Sequence, residues 1–104
     1  MPLGQQLFQL TYYSAAKPGL ATVDIDQILA TSRKHNGAND ITGCLLFHNS
    51  EFLQILEGEE NTIRELFVKI QNDSRHESVL QLAENNTERR LFEQCGLSQH
   101  FFSR

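Results

Sequence analysis

Residues 40–58 read DITGCLLFHNSEFLQILEG, and their alternation decides the fold. They form two strands folded back on each other, 41–47 and 51 or 52 to 56, turning through His48-Asn49-Ser50. Ile41, Leu45 and Phe47 alternate with Cys44 and Leu46; Phe52 and Leu56 alternate with Leu53 and Ile55. A hairpin half in water carries polar residues on one face. Apolar residues on both faces predict a central hairpin covered on both sides. In its middle stands Gln54, on the face of Phe52 and Leu56. A buried amide without a partner costs about 1–3 kcal/mol, so Gln54 requires one.

Outward from the hairpin, residues 7–13 (LFQLTYY) read as a strand with Phe8, Leu10 and Tyr12 on one face. Lys17-Pro18-Gly19 ends it. A first helix is expected from an N-cap at Thr22, with Asp24 and Asp26 in its first turn and Gly37 at C′. Ile25, Ile28, Leu29 and Ser32 mark its inner face. Asn36, four residues beyond Ser32, continues that stripe in polar form, or else caps the helix. After the hairpin, Thr62 and Glu65 match a capping box, and Ile63, Leu66, Phe67 and Ile70 form the inner face of a second helix. Lys69 and Asp73 lie on its flank as an i,i+4 pair. Residues 78–84 read as a fourth strand, Asn85-Asn86-Thr87 as a turn and 91–97 as a weaker fifth strand. The tail His100-Phe101-Phe102 is apolar enough to pack on the domain or on a second copy.

The 104 residues suit one domain, with a core over about 6–97 and a short C-terminal tail. A net charge of −4 without a basic stripe argues against nucleic acid. No signal-peptide pattern opens the chain, and no apolar run is long enough to cross a bilayer. Cys44 and Cys95 read as reduced thiols of a cytoplasmic protein.

The order β-α-β-β-α-β plus one strand is the split βαβ, ferredoxin-like pattern of the α+β class. It places both helices on one face of a mixed sheet and β3 beside β1. Tyr12 and Gln54 can then meet as phenol and amide, with Asn36 near them. A few polar groups in an apolar gap between helices and sheet describe a small-molecule pocket, although a Tyr–Gln pair is also an ordinary core contact.

Tyr12-Tyr13-Ser14, the Ser32…Asn36 spacing, Ile41-Thr42-Gly43, Phe52-Leu53-Gln54-Ile55-Leu56-Glu57-Gly58 and Asp73-Ser74-Arg75-His76 follow one another in the order and spacing of a BLUF domain. The chain resembles a short stand-alone member of that family of blue-light sensors. The resemblance implies a non-covalent flavin between the helices, usually FAD, with FMN as the alternative. It implies Ile28 and Ile70 on the ring faces, and Asn36 and Gln54 at its polar edge. Ser32 and His35 would line its neighbourhood. Lys69 falls near the pyrimidine side, and Asp73, Arg75 and His76 belong to the motif beside the ring or the ribityl phosphate. Tyr12 and Gln54 would be the photochemical pair: Tyr12 gives an electron and a proton to the excited flavin, and the Tyr–Gln–flavin hydrogen bonds reorganise and then recover.

The last strand departs from the family pattern. Cys95 stands at the usual Trp and Leu97 at the usual Met, the expected signal-relay positions. The implied output is a contact change toward an effector protein in trans or within a homo-oligomer, without catalysis and without a membrane or nucleic-acid partner. An acylphosphatase-type hydrolase lacks a phosphate-cradling loop here. No base is placed beside either thiol, and His35, His48, His76 and His100 lack metal-ligand spacing. A flavin-free interaction module is the other reading.

Overall fold

The computed structural model describes residues 6–91 and 100–103. The elements are β1 (Leu7–Ala16), α1 (Thr22–Ala38), β2 (Thr42–His48), β3 (Glu51–Gly58), α2 (Glu60–Gln71), β4 (His76–Thr87) and β5 (His100–Ser103). The sheet order is β4-β1-β3-β2-β5, antiparallel throughout except for the parallel β2–β5 pair. This is the expected α+β, ferredoxin-like arrangement, with β3 beside β1.

The β2–β3 turn is a two-residue loop in which Asn49 and Ser50 take φ of 50° and 64°. Two left-handed residues match the strand twist of a tight hairpin, and Asn tolerates that conformation. The hairpin brings the chains very close at Gly43, where a Cβ would lie 1.9 Å from the Ile55 carbonyl oxygen.

Alternation along β1 buries Phe8, Leu10, Tyr12, Ser14 and Ala16. The matching row of β3 is Phe52, Gln54 and Leu56, and Ile25, Ile28, Ile63 and Phe67 of the two helices join the same core. The expectation that the hairpin is covered on both faces is corrected. Leu46 and Leu53 on the other face are 44% and 38% exposed, and Leu80 and Leu82 of β4 are 56% exposed. Both helices supply the same face of the sheet, so the apolar outer row has no layer of its own among the described residues.

Several local expectations shift for physical reasons. Helix α1 starts after Ala21, whose amide donates to the Asp24 carboxylate at 2.9 Å, so Thr22 is the first helical residue and not the cap. Gly37 lies inside that helix, which ends at Ala38 with Asn39 as its C-cap. The left-handed residue is Asp40, with φ 56°. Helix α2 is capped by Glu59 and not by Thr62, because the Glu59 carboxylate accepts from the amides of Asn61 and Thr62 at 3.0 and 3.1 Å. The supposed turn at Asn85-Asn86-Thr87 is strand, paired to Gln9, Phe8 and Leu7, so lateral pairing overrides the turn preference of Asn. The observed fifth strand is the tail, pairing along β2 from Leu45 to His48. Leu91 sits in a bend, and the remainder of the expected 91–97 strand lies outside the described residues. Cys44 is disulfide-bonded, not reduced. It is half-buried on the uncovered face, and an apolar strand setting does not by itself keep a thiol from oxidation.

Edge strand β4 bulges twice beside Tyr12. Gln81 opposes Tyr12 and Ala83 opposes Thr11, leaving Leu82 unpaired. Ser78 and Val79 together face Ser14, with Ser78 at φ 53°. Bulges bend a strand and re-aim its neighbours.

Glu57 of β3 is a fully buried carboxyl group. Its carboxylate accepts from Gln9 Nε2 at 2.9 Å, Thr42 Oγ1 at 3.0 Å and the Leu91 amide at 2.8 Å, joining β1, β2 and the segment after β4. Arg90 closes the cluster on Thr42 Oγ1 at 2.9 Å and the Asp40 carbonyl at 2.7 Å. Glu57→Ala strands three donors. We expect it to lower the unfolding free energy by about 3 kcal/mol or more in urea denaturation. Gly43→Ala, which forces β2 from β3, is expected to cost about 1–3 kcal/mol in the same assay.

Candidate functional site

The β1–β3 register places Tyr12 directly opposite Gln54. Both are buried, and the Tyr12 hydroxyl donates to Gln54 Oε1. The Tyr12 ring packs tilted against Phe67 of α2, with centroids 5.5 Å apart. Burial, and then the negative charge of Asp73, push the Tyr12 phenol well above the ordinary phenol range. Tyr12 therefore remains a hydrogen-bond donor at every physiological pH.

In front of this pair, between α1, α2 and the sheet, lies a cavity of about 160 Å³. One water needs about 10–15 Å³, so the space suits a much larger occupant. Ten of the eleven residues singled out as cofactor ligands line it: Tyr12, Ile28, Ser32, His35, Gln54, Lys69, Ile70, Asp73, Arg75 and His76. Asn36 is the exception. It is buried near the inner end of α1, and its Oδ1 makes no hydrogen bond. It belongs to the helix, and the capping role falls to Asn39, whose side chain donates to the His35 carbonyl at 2.7 Å.

The rim is ordered by charge. Arg75 grips Asp73 in a fork, Nε to Oδ1 at 3.0 Å and Nη2 to Oδ2 at 2.6 Å, and the Arg75 amide also donates to Oδ1. These bonds hold the Asp73 carboxyl below its usual range against partial burial. Lys69 is therefore not the partner that Asp73 takes. It lines the cavity instead. His76 shares a hydrogen bond with Ser14 Oγ through Nδ1 at 2.9 Å and packs on Phe52 with centroids 5.1 Å apart. Burial lowers the pKa of His76; Asp73 opposes that shift and Arg75 adds to it.

Thr31, Leu45, Phe52 and Leu66 also line the cavity, and Ser14 joins through His76; none was assigned to the site from sequence. Ser14 and Phe52 stand two residues from Tyr12 and Gln54 on the same faces, so strand alternation carried that signal. Thr31 gives no sign of its role in the pattern. Cys95 and Leu97, the expected relay positions, lie outside the described residues.

The family model described as sensors of blue-light using FAD matches residues 7–98. The chain belongs to the BLUF family. Among curated relatives, the photoactivated adenylate cyclase subunit beta of Euglena longa is 38% identical over 74 residues, covering 71% of this chain and 9% of that protein. The blue light- and temperature-regulated antirepressor BluF of Escherichia coli K12 is 30% identical over 91 residues, covering 88% of this chain and 23% of that protein. This chain thus spans a small part of those relatives. Among solved structures, BlrB, a BLUF protein in its dark state, superposes with a TM-score of 0.86 at 31% identity, covering 96% of this chain and 75% of BlrB. BlrP1 of Klebsiella pneumoniae with FMN and cyclic diGMP gives 0.79 at 34% identity over 93% of this chain and 25% of that one.

BLUF domains bind a flavin, and the residues present suit one. Aliphatic Ile28 and Ile70, from different helices, line the cavity and suit a flat aromatic ring. The unpartnered Asn36 Oδ1 asks for a donor, and the ring N–H of an oxidised flavin is one. If that oxygen holds the cofactor, Asn36→Ala should weaken FAD binding about tenfold, or ~1.4 kcal/mol, in a fluorescence-quenching titration.

Proposed function

We propose that this chain is a blue-light photosensor in which the Tyr12–Gln54 hydrogen bond at the cavity wall reports the state of a flavin held between α1 and α2. That hydrogen bond carries the reading. Its donor is a phenol whose proton is held tightly, and its acceptor is an amide that can present either oxygen or nitrogen to the same neighbour. When bound, the flavin supplies light absorption and accepts an electron; the chain supplies placement and hydrogen bonds. Asn36 and Gln54 orient the polar edge, Ile28 and Ile70 exclude water from the ring, and Ser32 and His35 complete the wall. Lys69 and the Arg75–Asp73 fork, at the rim, suit the more polar remainder of the cofactor. Turning the Gln54 amide replaces the oxygen facing Tyr12 with an N–H, so the phenol must become the acceptor. One rotation thereby rewrites the polarity of the central β1–β3 row.

FAD follows the family description. FMN is the second reading, favoured by the BlrP1 structure that holds it. The chain acts as one flavin-binding unit. It passes its state to a separate protein or to a second copy, and it carries no substrate chemistry.

The purified protein should be yellow, with the released flavin identified by mass. Brief blue light should shift its absorbance to the red, reversibly in the dark. Tyr12→Phe and Gln54→Leu should each retain flavin and lose the shift. A colourless protein that takes up neither FAD nor FMN would refute the assignment.

A further inference from the structure

Ser14 and His76 form a couple that the Tyr12–Gln54 reading does not use. Ser14 is fully buried on the face of Tyr12, two residues along β1, and its cross-strand partner is Phe52, two residues from Gln54. The Ser14–Phe52 pair is thus the next row after Tyr12–Gln54, roughly 7 Å away along the strands. His76 touches both members of that row, Ser14 Oγ by the 2.9 Å hydrogen bond and Phe52 by the ring contact. It also lines the same cavity as Tyr12 and Gln54. The bulge at Ser78 and Val79 opposite Ser14 lies between His76 and the part of β4 that pairs with Tyr12 and Tyr13.

We infer that Ser14 and His76 are positioning residues that set the Tyr12–Gln54 row and make it respond to the protonation of His76. The inference rests on the photosensor reading only for its optical consequence. A neutral imidazole can accept the Ser14 hydroxyl proton at Nδ1 or donate to the oxygen there. An imidazolium only donates. Charging His76 therefore forces Ser14 Oγ to accept and turns its own O–H elsewhere within a fully buried row. It also adds a cation to the cavity wall beside Phe52 and Gln54. The groups that face His76 leave this step open. Asp73 attracts a proton to it and Arg75 repels one, although the two largely neutralise each other in their fork. Lys69 of α2 and His35 of α1 share the cavity wall, Asp24 of α1 acts on Arg75, and Lys17 approaches through its amide to the Arg75 carbonyl. Burial favours the neutral ring, so the change falls below the ordinary imidazole range.

The test uses the full chain, with and without added FAD. Side-chain NMR follows the His76 ring and the Gln54 amide from pH 5 to pH 8. We expect the Gln54 amide to shift with the His76 midpoint in the wild type and to lose that step in Ser14→Ala. With FAD bound, dark recovery after a blue pulse should change about three- to tenfold across the same midpoint, the worth of one neutral hydrogen bond. It should be flat in His76→Gln, which keeps a hydrogen-bonding side chain without the titration. A Gln54 amide that ignores His76, or a pH step in recovery that survives His76→Gln, overturns the inference. A protein that takes no flavin but shows the NMR coupling counts against the photosensor reading and leaves the Ser14–His76 assignment standing.

Discussion

The pairing of β1 with β3 is the constraint from which the rest follows. A strand alternates its side chains, so a slip of one residue would send Tyr12 to the uncovered face while Gln54 stayed inside. The register is pinned at both ends. At the hairpin the two-residue turn fixes β3 against β2, and away from it the bare backbone at Gly43, opposite Leu56, lets the two strands close. At the other end, the Glu57 carboxylate gathers Gln9, Thr42 and Leu91 onto one side chain. Between these anchors Leu10, Leu56 and Phe52 fill the helix face, and the phenol and amide have one place to meet.

The polar residues of this core are where local rules are broken. Tyr12, Ser14, Asn36, Gln54 and Glu57 are all buried. Glu57 is saturated by its donors, and its role is fastening. Tyr12 and Gln54 satisfy each other. Asn36 Oδ1 remains unmatched, a cost of about 1–3 kcal/mol that a folded protein tolerates where an incoming group relieves it. The contrast between a satisfied carboxylate at one end of β3 and an unsatisfied amide near the inner end of α1 distinguishes scaffold from site.

Much of this was legible in the chain itself. Period-two alternation in residues 7–13 and 41–56 exposed the central strands, and the misplaced amide among apolar neighbours marked Gln54. The split βαβ order then predicted its partner. Inner-face spacing placed Ile28, Ser32 and Ile70, and the family resemblance pointed from the D-x-R-H run to the rim. What stayed hidden has identifiable causes. The helix starts were misplaced because a long Glu59 carboxylate and an Asp24 side chain serve as caps where Thr was expected. The uncovered face was misjudged because alternation tells which residues share a side, and not whether anything lies over it. The Asn85-Asn86-Thr87 run kept its strand form because β1 continued alongside it. The Ser14–His76 contact joins residues 62 apart, and only the folded sheet brings them together.

The surplus residues of β4 give the edge strand slack in length. Leu82 has no partner, so removing it would leave Gln81 against Tyr12 and Ala83 against Thr11, with the ladder merely straightened between them. Loss of that one residue can therefore be absorbed by the edge strand without changing which β4 residue faces Tyr12.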